Sequence, residues 1–353
     1  MVSTITGIDP ATGNGIAVEV RAGLITAIRA EAKPHDGYLS AGLVDLQING
    51  FGGLDLNGGT ATPELVAELA KKLAATGVTT FLPTLITAST EDILSGLRTI
   101  AAARRTFPLV AAMVPAVHVE GPSISPMDGP RGAHPHEHVR APSLAEFDLW
   151  REAGEGLVGL VTLAPEYPEA PAYISALAAR NVHVALGHTA ASPEEIHRAA
   201  EAGAALSTHL GNGAASPLPR HPNFIWAQLA DDRLTATFIA DGHHLPSDTF
   251  KAMLRAKGLD RAVLVSDSVA LAGMPPGIYE QAVGGTVEVS SEGRIGIAGT
   301  PYLAGAGLPL AANVAIAAGM AGLPLGDALR LATVNPGRFA GGRGRFEVGA
   351  RAD

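Results

Sequence analysis

Acidic and histidine side chains stand at the ends of several short apolar segments of this sequence. Each segment predicts a buried strand, and each polar residue lies where that strand would end. The residues in these positions are Glu120, His188, His209, His243 with His244, and Asp267. The 353 residues include no cysteine, so a metal would have to be held by His, Asp or Glu, and a nucleophile would be Ser, Thr or water.

Glu120 is the most informative of these residues. It ends an apolar segment and is followed by Gly121 and Pro122, which predicts a buried carboxylate. A buried carboxylate stays charged only when a cation or several hydrogen-bond donors neutralise it. No Lys or Arg lies within ten residues of Glu120 in the sequence, although a distant one could approach it in the fold. We therefore favour a metal ion as its partner.

A carboxylate and two imidazoles together predict a catalytic metal site. Three ligands leave one position open, as in catalytic rather than structural zinc sites. A water in the open position would have its pKa lowered toward neutrality and would become a nucleophile. A general base must then accept its proton and pass it to the leaving amine. Asp267, after the last predicted strand, suits that role, and His244 could polarise the scissile carbonyl, with the adjacent His243 as the alternative.

The elements that must position these residues are eight short apolar runs that do not alternate with polar residues. Strands that are buried on both faces have this pattern, and such strands are typical of parallel sheets. The runs are Leu43–Ile48, Thr79–Ile86, Val114–Val119, Val158–Leu163, His183–Leu186, Ala204–Thr208, Leu234–Ala240 and Ala262–Val265.

Helical patterns separate the apolar runs. Two of them begin with a capping residue, a proline in the first turn and then an acid, namely at Thr62-Pro63-Glu64 and Ser192-Pro193-Glu194. The predicted helices are Pro63–Thr76, Thr90–Arg105, Ala170–Arg180 and Pro193–Ala202. A further alanine-rich run, Ala311–Ala321, is too short to span a membrane and predicts a buried helix.

Alternating strands and helices predict an α/β fold, a (β/α)8 TIM-type barrel of residues 41–277 and 299–339. Antiparallel signals in residues 1–38 and in Gly284–Ile297 predict a small β-sandwich-like domain from residues 1–40, about 278–298 and 340–353. Chemistry in such barrels sits at the carboxyl ends of the strands. One histidine there is usually a hydrogen-bonded loop residue, but polar ends on five strands of one rim favour an active site.

The charge and hydropathy of the chain limit the kinds of partner that it can bind. The formal net charge is −9, which argues against nucleic-acid binding but permits a small phosphorylated substrate held by one Arg or by backbone N–H groups. The first 21 residues lack the features of a signal peptide, and no uninterrupted apolar stretch of about 20 residues is present. We therefore expect a cytoplasmic protein without a membrane partner.

Seven motifs occur in an order and at spacings that together resemble one family. They are Gly42–Gly53, Leu82–Thr87, His118–Pro122, Val161–Glu166, Gly187–Thr189, Thr208–Leu210 and Ile239–His244. With them, the chain from about Gly42 to Arg338 resembles the N-acetylglucosamine-6-phosphate deacetylases of the amidohydrolase superfamily. The resemblance implies hydrolysis of N-acetylglucosamine 6-phosphate to glucosamine 6-phosphate and acetate.

The resemblance also implies roles for individual residues. It gives Glu120, His188 and His209 as the metal ligands, Asp267 as the catalytic base and acid, and His244 as the residue that polarises the carbonyl. The implied substrate contacts are His134, Asn212 with the neighbouring Gly213, Arg220, Gln47 and Asn49.

Gln47 and Asn49 stand where many amidohydrolases have the His-x-His pair that supports a second metal. Amides are poor ligands for a second divalent ion, so we predict one metal per chain. Zn²⁺ is expected first, with Fe²⁺, Co²⁺ or Mn²⁺ as alternatives.

The segment Asn212–Pro222 departs from the family pattern, which usually continues Asn-Ala-Met-Pro before an Arg that binds the substrate phosphate. Arg220 could serve that purpose in the changed loop. Members of the family generally form dimers in which this loop completes the neighbouring site, so the resemblance implies a homodimer.

Two other functions remain open. The main alternative is an amidohydrolase with the same metal chemistry that acts on another N-acetylated amino sugar or amide. The third hypothesis is a barrel that binds an amino sugar without turnover.

Overall fold

Three antiparallel strands begin the chain in the computed structural model, which describes residues 2–33, 36–281, 285–300 and 302–353. They are β1 (Val2–Ile8), β2 (Gly15–Arg21) and β3 (Leu24–Ala30), in the order β1-β2-β3. Ile16, Val18 and Ile25 form a small hydrophobic cluster with Ala350, so the end of the described chain packs against this sheet. Residues 1, 34 and 35 of the predicted small domain lie outside the described residues.

Eight parallel strands form a sheet that is nearly closed into a barrel, which confirms the predicted fold class. A two-stranded hairpin, β5 (Gly50–Phe51) with β6 (Leu54–Asp55), follows the first barrel strand. The barrel strands are β4 (Leu43–Ile48), β7 (Val78–Ile86), β8 (Val117–Glu120), β9 (Val158–Leu163), β10 (His183–Leu186), β11 (Leu206–Ser207), β12 (Thr235–Phe238) and β13 (Ala262–Leu264). Each overlaps one of the eight predicted runs.

The seam between β4 and β13 is closed by single contacts rather than by a strand ladder. Ile48 forms an isolated parallel bridge with Ser268, and the N–H groups of Asn49 and Gly50 donate to the Ser268 carbonyl at 2.9 and 3.1 Å. The buried carboxylate of Asp45 accepts the Ser266 N–H at 3.2 and 3.3 Å, and burial raises the pKa of Asp45 to about 7. These contacts bring the ends of the first and last barrel strands together.

Among the described residues, eight α-helices lie between barrel strands along the chain, and three follow the last barrel strand. They are α1 (Pro63–Ala75), α2 (Thr90–Thr106), α3 (Pro108–Met113), α4 (Leu144–Ala153), α5 (Ala170–Ala178), α6 (Pro193–Ala202), α7 (Phe224–Ala230), α8 (Ser247–Lys257), α9 (Leu310–Ala321), α10 (Leu325–Arg330) and α11 (Val334–Gly337), with short 3-10 turns at His136–His138 and Leu259–Arg261. The capping signals are confirmed, since the Thr62 hydroxyl accepts from Leu65 N and Ser192 forms a capping box with Glu195.

Two hydrophobic clusters hold the barrel together. The larger joins the strands to the surrounding helices. The smaller contains Leu82, Leu160 and Leu206, which come from three different barrel strands. Because side chains alternate along a strand, residues two positions further on face the same side. Those residues are Thr84, Thr162 and Thr208, all buried, so the barrel interior changes from apolar to polar toward the carboxyl ends of the strands.

A second antiparallel sheet follows the barrel strands. It contains β14 (Gly277–Gln281), β15 (Gly285–Val289) and β16 (Ile295–Ile297), which confirms the antiparallel signal predicted there, although residues 282–284 lie outside the described residues. Its apolar cluster, with Leu271 and Val287, is separate from that of the N-terminal sheet. The two sheets are separate, and their assignment to one small domain stays a prediction, as does the barrel range 299–339, of which residue 301 is outside the described residues.

Among the described residues, no helix is both long enough and apolar enough to cross a bilayer.

The capping box of α6 gives a test of the local structure that follows the loop at His188. Ser192→Ala should lower the free energy of unfolding by about 1 kcal/mol, because the first turn loses an acceptor for the Glu195 N–H. Chemical denaturation would measure the change. Ser192→Thr retains a hydroxyl and should recover most of the loss. An alanine variant as stable as the parent protein would show that the cap contributes nothing.

Candidate active site

Three nitrogen atoms converge on a single oxygen of Glu120 at the carboxyl ends of the barrel strands. Gln47 Nε2 lies 2.9 Å from Glu120 Oε1, His209 Nε2 lies 3.1 Å from it, and His188 Nε2 lies 3.3 Å from it. Glu120 is 2% exposed. The buried carboxylate predicted from the sequence is therefore present, and side chains from four strand ends meet there.

The tautomer of His188 shows why this cluster fits a cation. His188 Nδ1 lies 2.9 Å from the Pro130 carbonyl oxygen, which can only accept, so Nδ1 carries the proton. A neutral ring then presents its Nε2 lone pair to the Glu120 oxygen. Two acceptors at this distance repel each other unless a cation is shared between them. The donor set of one carboxylate and imidazole nitrogens suits a divalent metal ion.

Hydrogen bonds and charges within the cluster favour an ionised Glu120. Burial by itself raises the pKa of Glu120, but its contacts with His188 and His209 outweigh burial and hold that pKa well below its usual range. Burial likewise lowers the pKa of His209, while the contact with Glu120 and its charge reverse this and raise the pKa above its ordinary value. The cluster therefore stabilises an ionised carboxylate in a buried position, which is the form that ligates a metal. His209 would have to release the proton that its raised pKa favours before it could act as a ligand.

The backbone at these strand ends adopts a left-handed conformation that is uncommon for residues with a Cβ. The φ angles are +50° at His188, +26° at His209 and +49° at Asp267. Such conformations cost of order 1–3 kcal/mol each and persist when surrounding contacts determine them. At His209 one such contact is the donation of its N–H to Thr237 Oγ1 at 2.7 Å. The three turns are a shared structural device that directs these side chains.

Asp267 and Asn49 form a pair beside the Glu120 cluster. Asn49 Nδ2 donates to Asp267 Oδ1 at 2.8 Å, and Asn49 Oδ1 is buried and without a protein partner among the described residues. Burial, followed by the charge of Glu120, raises the pKa of Asp267 to about 6. A carboxylate with a pKa near neutrality is suited to general acid–base catalysis.

His244 is distinguished from its neighbour His243 by its contacts. His244 Nδ1 lies 2.7 Å from Asp241 Oδ2, and the side chain of His244 is 10% exposed. Asp241 Oδ1 also accepts the N–H groups of both histidines, at 2.8 and 2.9 Å. His243 is half-buried, and its Nε2 lies 3.3 Å from the Glu292 carbonyl oxygen. The geometry favours His244, the residue selected by spacing, as the oriented one.

His134 is buried and lies inside the cluster. Its ring centroid is 4.3 Å from that of His188, and its Nδ1 lies 2.8 Å from Thr87 Oγ1. Glu120, His134 and His188 offer ligand atoms that all lie within 4.8 Å of one another. Burial lowers the pKa of His134 to about 3, so the ring is neutral. His134 therefore has the position of a substrate contact or of a further metal ligand.

The predicted substrate loop is only partly brought to the cluster. Asn212 Nδ2 donates to the His209 carbonyl at 3.2 Å, and a Cβ on Gly213 would lie 2.7 Å from His188 Nδ1. Gly213 also has a φ of +57°, so both its conformation and its close approach to His188 suit glycine. Arg220 is exposed in the same loop, and no contact places it on the cluster. Its role in phosphate binding stays a prediction.

Several residues that position this site were not assigned roles from the sequence. Thr87 contacts His134, the Pro130 carbonyl orients His188, and Asp241 orients His244. Thr87 is the last residue of the motif Leu82–Thr87 and Asp241 belongs to Ile239–His244, so the motifs contained the signal. Pro130 acts through its backbone, which no side-chain pattern reveals.

Comparison with known proteins agrees with the fold and the motifs. The amidohydrolase family profile matches residues 38–353. The N-acetylgalactosamine-6-phosphate deacetylase of Shewanella sp. (strain ANA-3) is 33% identical over 337 residues, covering 92% of this chain and 82% of that protein. The N-acetylglucosamine-6-phosphate deacetylase of Bacillus subtilis (strain 168) is 33% identical over 276 residues, covering 77% of this chain and 67% of that protein.

Solved structures give the same result. A mutant N-acetyl-D-glucosamine-6-phosphate deacetylase from Mycobacterium smegmatis, in complex with N-acetyl-D-glucosamine-6-phosphate, has a TM-score of 0.87 and 31% identity, covering 100% of this chain and 93% of that one. The chain therefore belongs to the amidohydrolase family, and the relatives described above are named as deacetylases. The resemblance to the N-acetylglucosamine-6-phosphate deacetylases within that family, predicted from the motifs, is confirmed by these relatives.

The convergence on Glu120 predicts that this carboxylate is required for metal retention. Glu120→Gln should leave the purified protein with little or no divalent metal after dialysis, because the amide removes the negative charge at the point where the imidazoles meet. Elemental analysis would measure the metal content. Glu137→Gln, at an exposed position in the segment that follows β8, is the matched control and should retain metal. A Glu120→Gln protein with a full complement of metal would contradict this prediction.

Proposed function

We propose that this protein removes the acetyl group from N-acetylglucosamine 6-phosphate, releasing acetate and glucosamine 6-phosphate. The observation that carries the proposal is the meeting of Glu120, His188 and His209 at one oxygen, with Asp267 held beside them at the same rim. Relatives that are 33% identical to this chain carry the names of deacetylases of N-acetylhexosamine 6-phosphates.

The proposed metal ligands are Glu120, His188 and His209, which would hold one divalent ion, Zn²⁺ by preference. When bound, such an ion supplies Lewis-acid chemistry, lowering the pKa of a water and polarising a carbonyl. The amides of Gln47 and Asn49 are already engaged with Glu120 and Asp267. This supports a single ion. Gln47 and Asn49 stand where ligands of a second ion would be, and their amides instead donate hydrogen bonds to the metal ligand Glu120 and to the base Asp267.

The remaining steps belong to this chain's own side chains. Asp267 accepts the proton of the attacking water and passes it to the leaving amine, a transfer for which a raised pKa is favourable. Asp241 engages Nδ1 of His244, so Nε2 is the atom of His244 that faces the substrate carbonyl. His134, whose Nδ1 contacts Thr87, offers Nε2 to a substrate hydroxyl.

The phosphate, the dimer and the cellular location are further parts of the proposal. Arg220 is proposed to contact the phosphate, in a loop whose residues Asn212 and Gly213 reach the metal ligands His209 and His188. A homodimer would allow the exposed part of this loop to complete a neighbouring site. A cytoplasmic location fits a phosphorylated sugar substrate.

N-acetylgalactosamine 6-phosphate is the second candidate substrate, because two of the relatives carry that name at the same 33% identity. The two sugars differ in the configuration of one hydroxyl. The chemistry at the acetamide group is the same for both, so the choice between them lies in contacts remote from Asp267.

A substrate panel tests the proposed function. Acetate release should be fastest with N-acetylglucosamine 6-phosphate, slower with the galactosamine isomer and much slower with unphosphorylated N-acetylglucosamine. Asp267→Asn should retain metal while its turnover falls about 10²–10⁴-fold, the usual contribution of a general acid–base group. Faster release from the galactosamine isomer would select the second candidate. Equal rates with and without phosphate would contradict the phosphate assignment.

The pH dependence follows from the pKa of Asp267. A base must be unprotonated, so kcat/KM should fall as the pH drops through about 6. The Asn49 donor lowers the pKa of Asp267, so Asn49→Leu should move this acid limb to higher pH. A pH profile of acetate release from both proteins would measure the shift. An acid limb that does not move in the Asn49 variant would show that another group limits the rate.

A further inference from the structure

Glu166 is a residue of the motif Val161–Glu166 that has no role in the site described so far. It follows the end of β9 and is half-buried. One of its carboxylate oxygens accepts the Thr189 hydroxyl at 2.5 Å, and the other accepts the Ala190 N–H at 3.0 Å. Both donors come from the turn that immediately follows His188.

This turn has to keep His188 in an uncommon conformation. The φ of +50° at His188 directs its ring toward Glu120, and a residue with a Cβ stays in that region only when its surroundings determine it. Thr189 is 1% exposed, and its hydroxyl oxygen also accepts the Ala191 N–H at 2.9 Å. The Thr189 hydroxyl therefore links Glu166 to the backbone on the far side of the turn.

Contacts from other loops fix the remaining parts of His188. Its carbonyl oxygen accepts the Ser125 N–H at 2.8 Å, and its Nδ1 is engaged by the Pro130 carbonyl. Ser125 and Pro130 belong to the loop after β8, whereas Glu166 belongs to the loop after β9. The ring, the carbonyl and the following turn are thus each held by a different contact.

Both carboxylate oxygens of Glu166 accept hydrogen bonds from the turn after His188. Glu166 therefore influences the site through the position of His188. We propose that Glu166 is a positioning residue that holds the turn Thr189–Ala190 and thereby keeps His188 Nε2 directed at Glu120. Its removal lets the turn relax toward ordinary backbone conformations, which moves one metal ligand away from the others. This inference rests on the proposed function in so far as His188 is a metal ligand.

Metal affinity is the direct test, measured on the zinc-loaded protein by competition with a chromogenic chelator. Residues that support a metal ligand typically contribute 10–100-fold to affinity when they are removed. Glu166→Gln and Thr189→Val should each weaken zinc binding about 10–100-fold. Thr189→Ser keeps the hydroxyl and should bind zinc as the parent does. The matched control is Glu169→Gln, an exposed residue of the same loop whose side chain makes no capping bond.

The double variant separates a shared contact from two independent effects. Because Glu166 and Thr189 share one hydrogen bond, the variant carrying both Glu166→Gln and Thr189→Val should lose clearly less affinity than the sum of the two single losses. Circular dichroism of the metal-free proteins establishes that each is folded. If Glu166→Gln fails to fold, the pair Thr189→Val and Thr189→Ser decides the question.

Zinc affinities of Glu166→Gln and Thr189→Val equal to that of Glu169→Gln would overturn the proposal, and so would fully additive losses in the double variant. The zinc measurement does not depend on the substrate. A parent protein that binds zinc but releases no acetate would contradict the proposed deacetylation, while the comparison among the variants would still decide the role of Glu166.

Discussion

The site depends on the burial of one negative charge. Glu120 is almost completely removed from solvent, and an isolated carboxylate in such a place would be protonated or would destabilise the fold. Here it stays ionised because imidazole and amide groups from other strand ends face the same oxygen. A cation at this point satisfies the lone pairs of the carboxylate and of His188 together. The chemistry proposed for Asp267 relies on such a cation to lower the pKa of the attacking water.

The barrel supplies the convergence at the cost of local strain. Parallel strands end at one rim, so residues distant in sequence meet there. Left-handed backbone at His188, His209 and Asp267 then turns their side chains inward. Each turn is held by a neighbouring element, through Thr189, Thr237 and Asn49 respectively. The seam between the first and last strands matters for the same reason, since it brings Asn49 to Asp267.

Much of this arrangement could be predicted from the sequence. Short, mostly apolar runs marked all eight barrel strands, and polar residues at their ends marked the rim, because buried strands and their polar ends differ in composition. His244 could be preferred over His243 from spacing, and its contact with Asp241 agrees. Strand ends were less accurate, as for the third strand, whose predicted start at Val114 follows α3 whereas β8 begins at Val117.

What could not be predicted depends on contacts that leave no periodic pattern. The Pro130 carbonyl orients His188 through the backbone, and Glu166 reaches Thr189 across a loop. The position of His134 inside the cluster, rather than on the surface with His136 and His138, is decided by the path of a long loop. Arg220 shows the opposite limit, because its residue type suits a phosphate but no contact ties it to the cluster.

Anomalous X-ray diffraction from crystals of the zinc-loaded protein would test the central claim most directly. We expect one strong zinc peak per chain, within about 2.0–2.2 Å of a Glu120 oxygen and of one nitrogen each from His188 and His209. Two peaks in the cluster, or a single peak held by residues that do not include Glu120, would contradict the account.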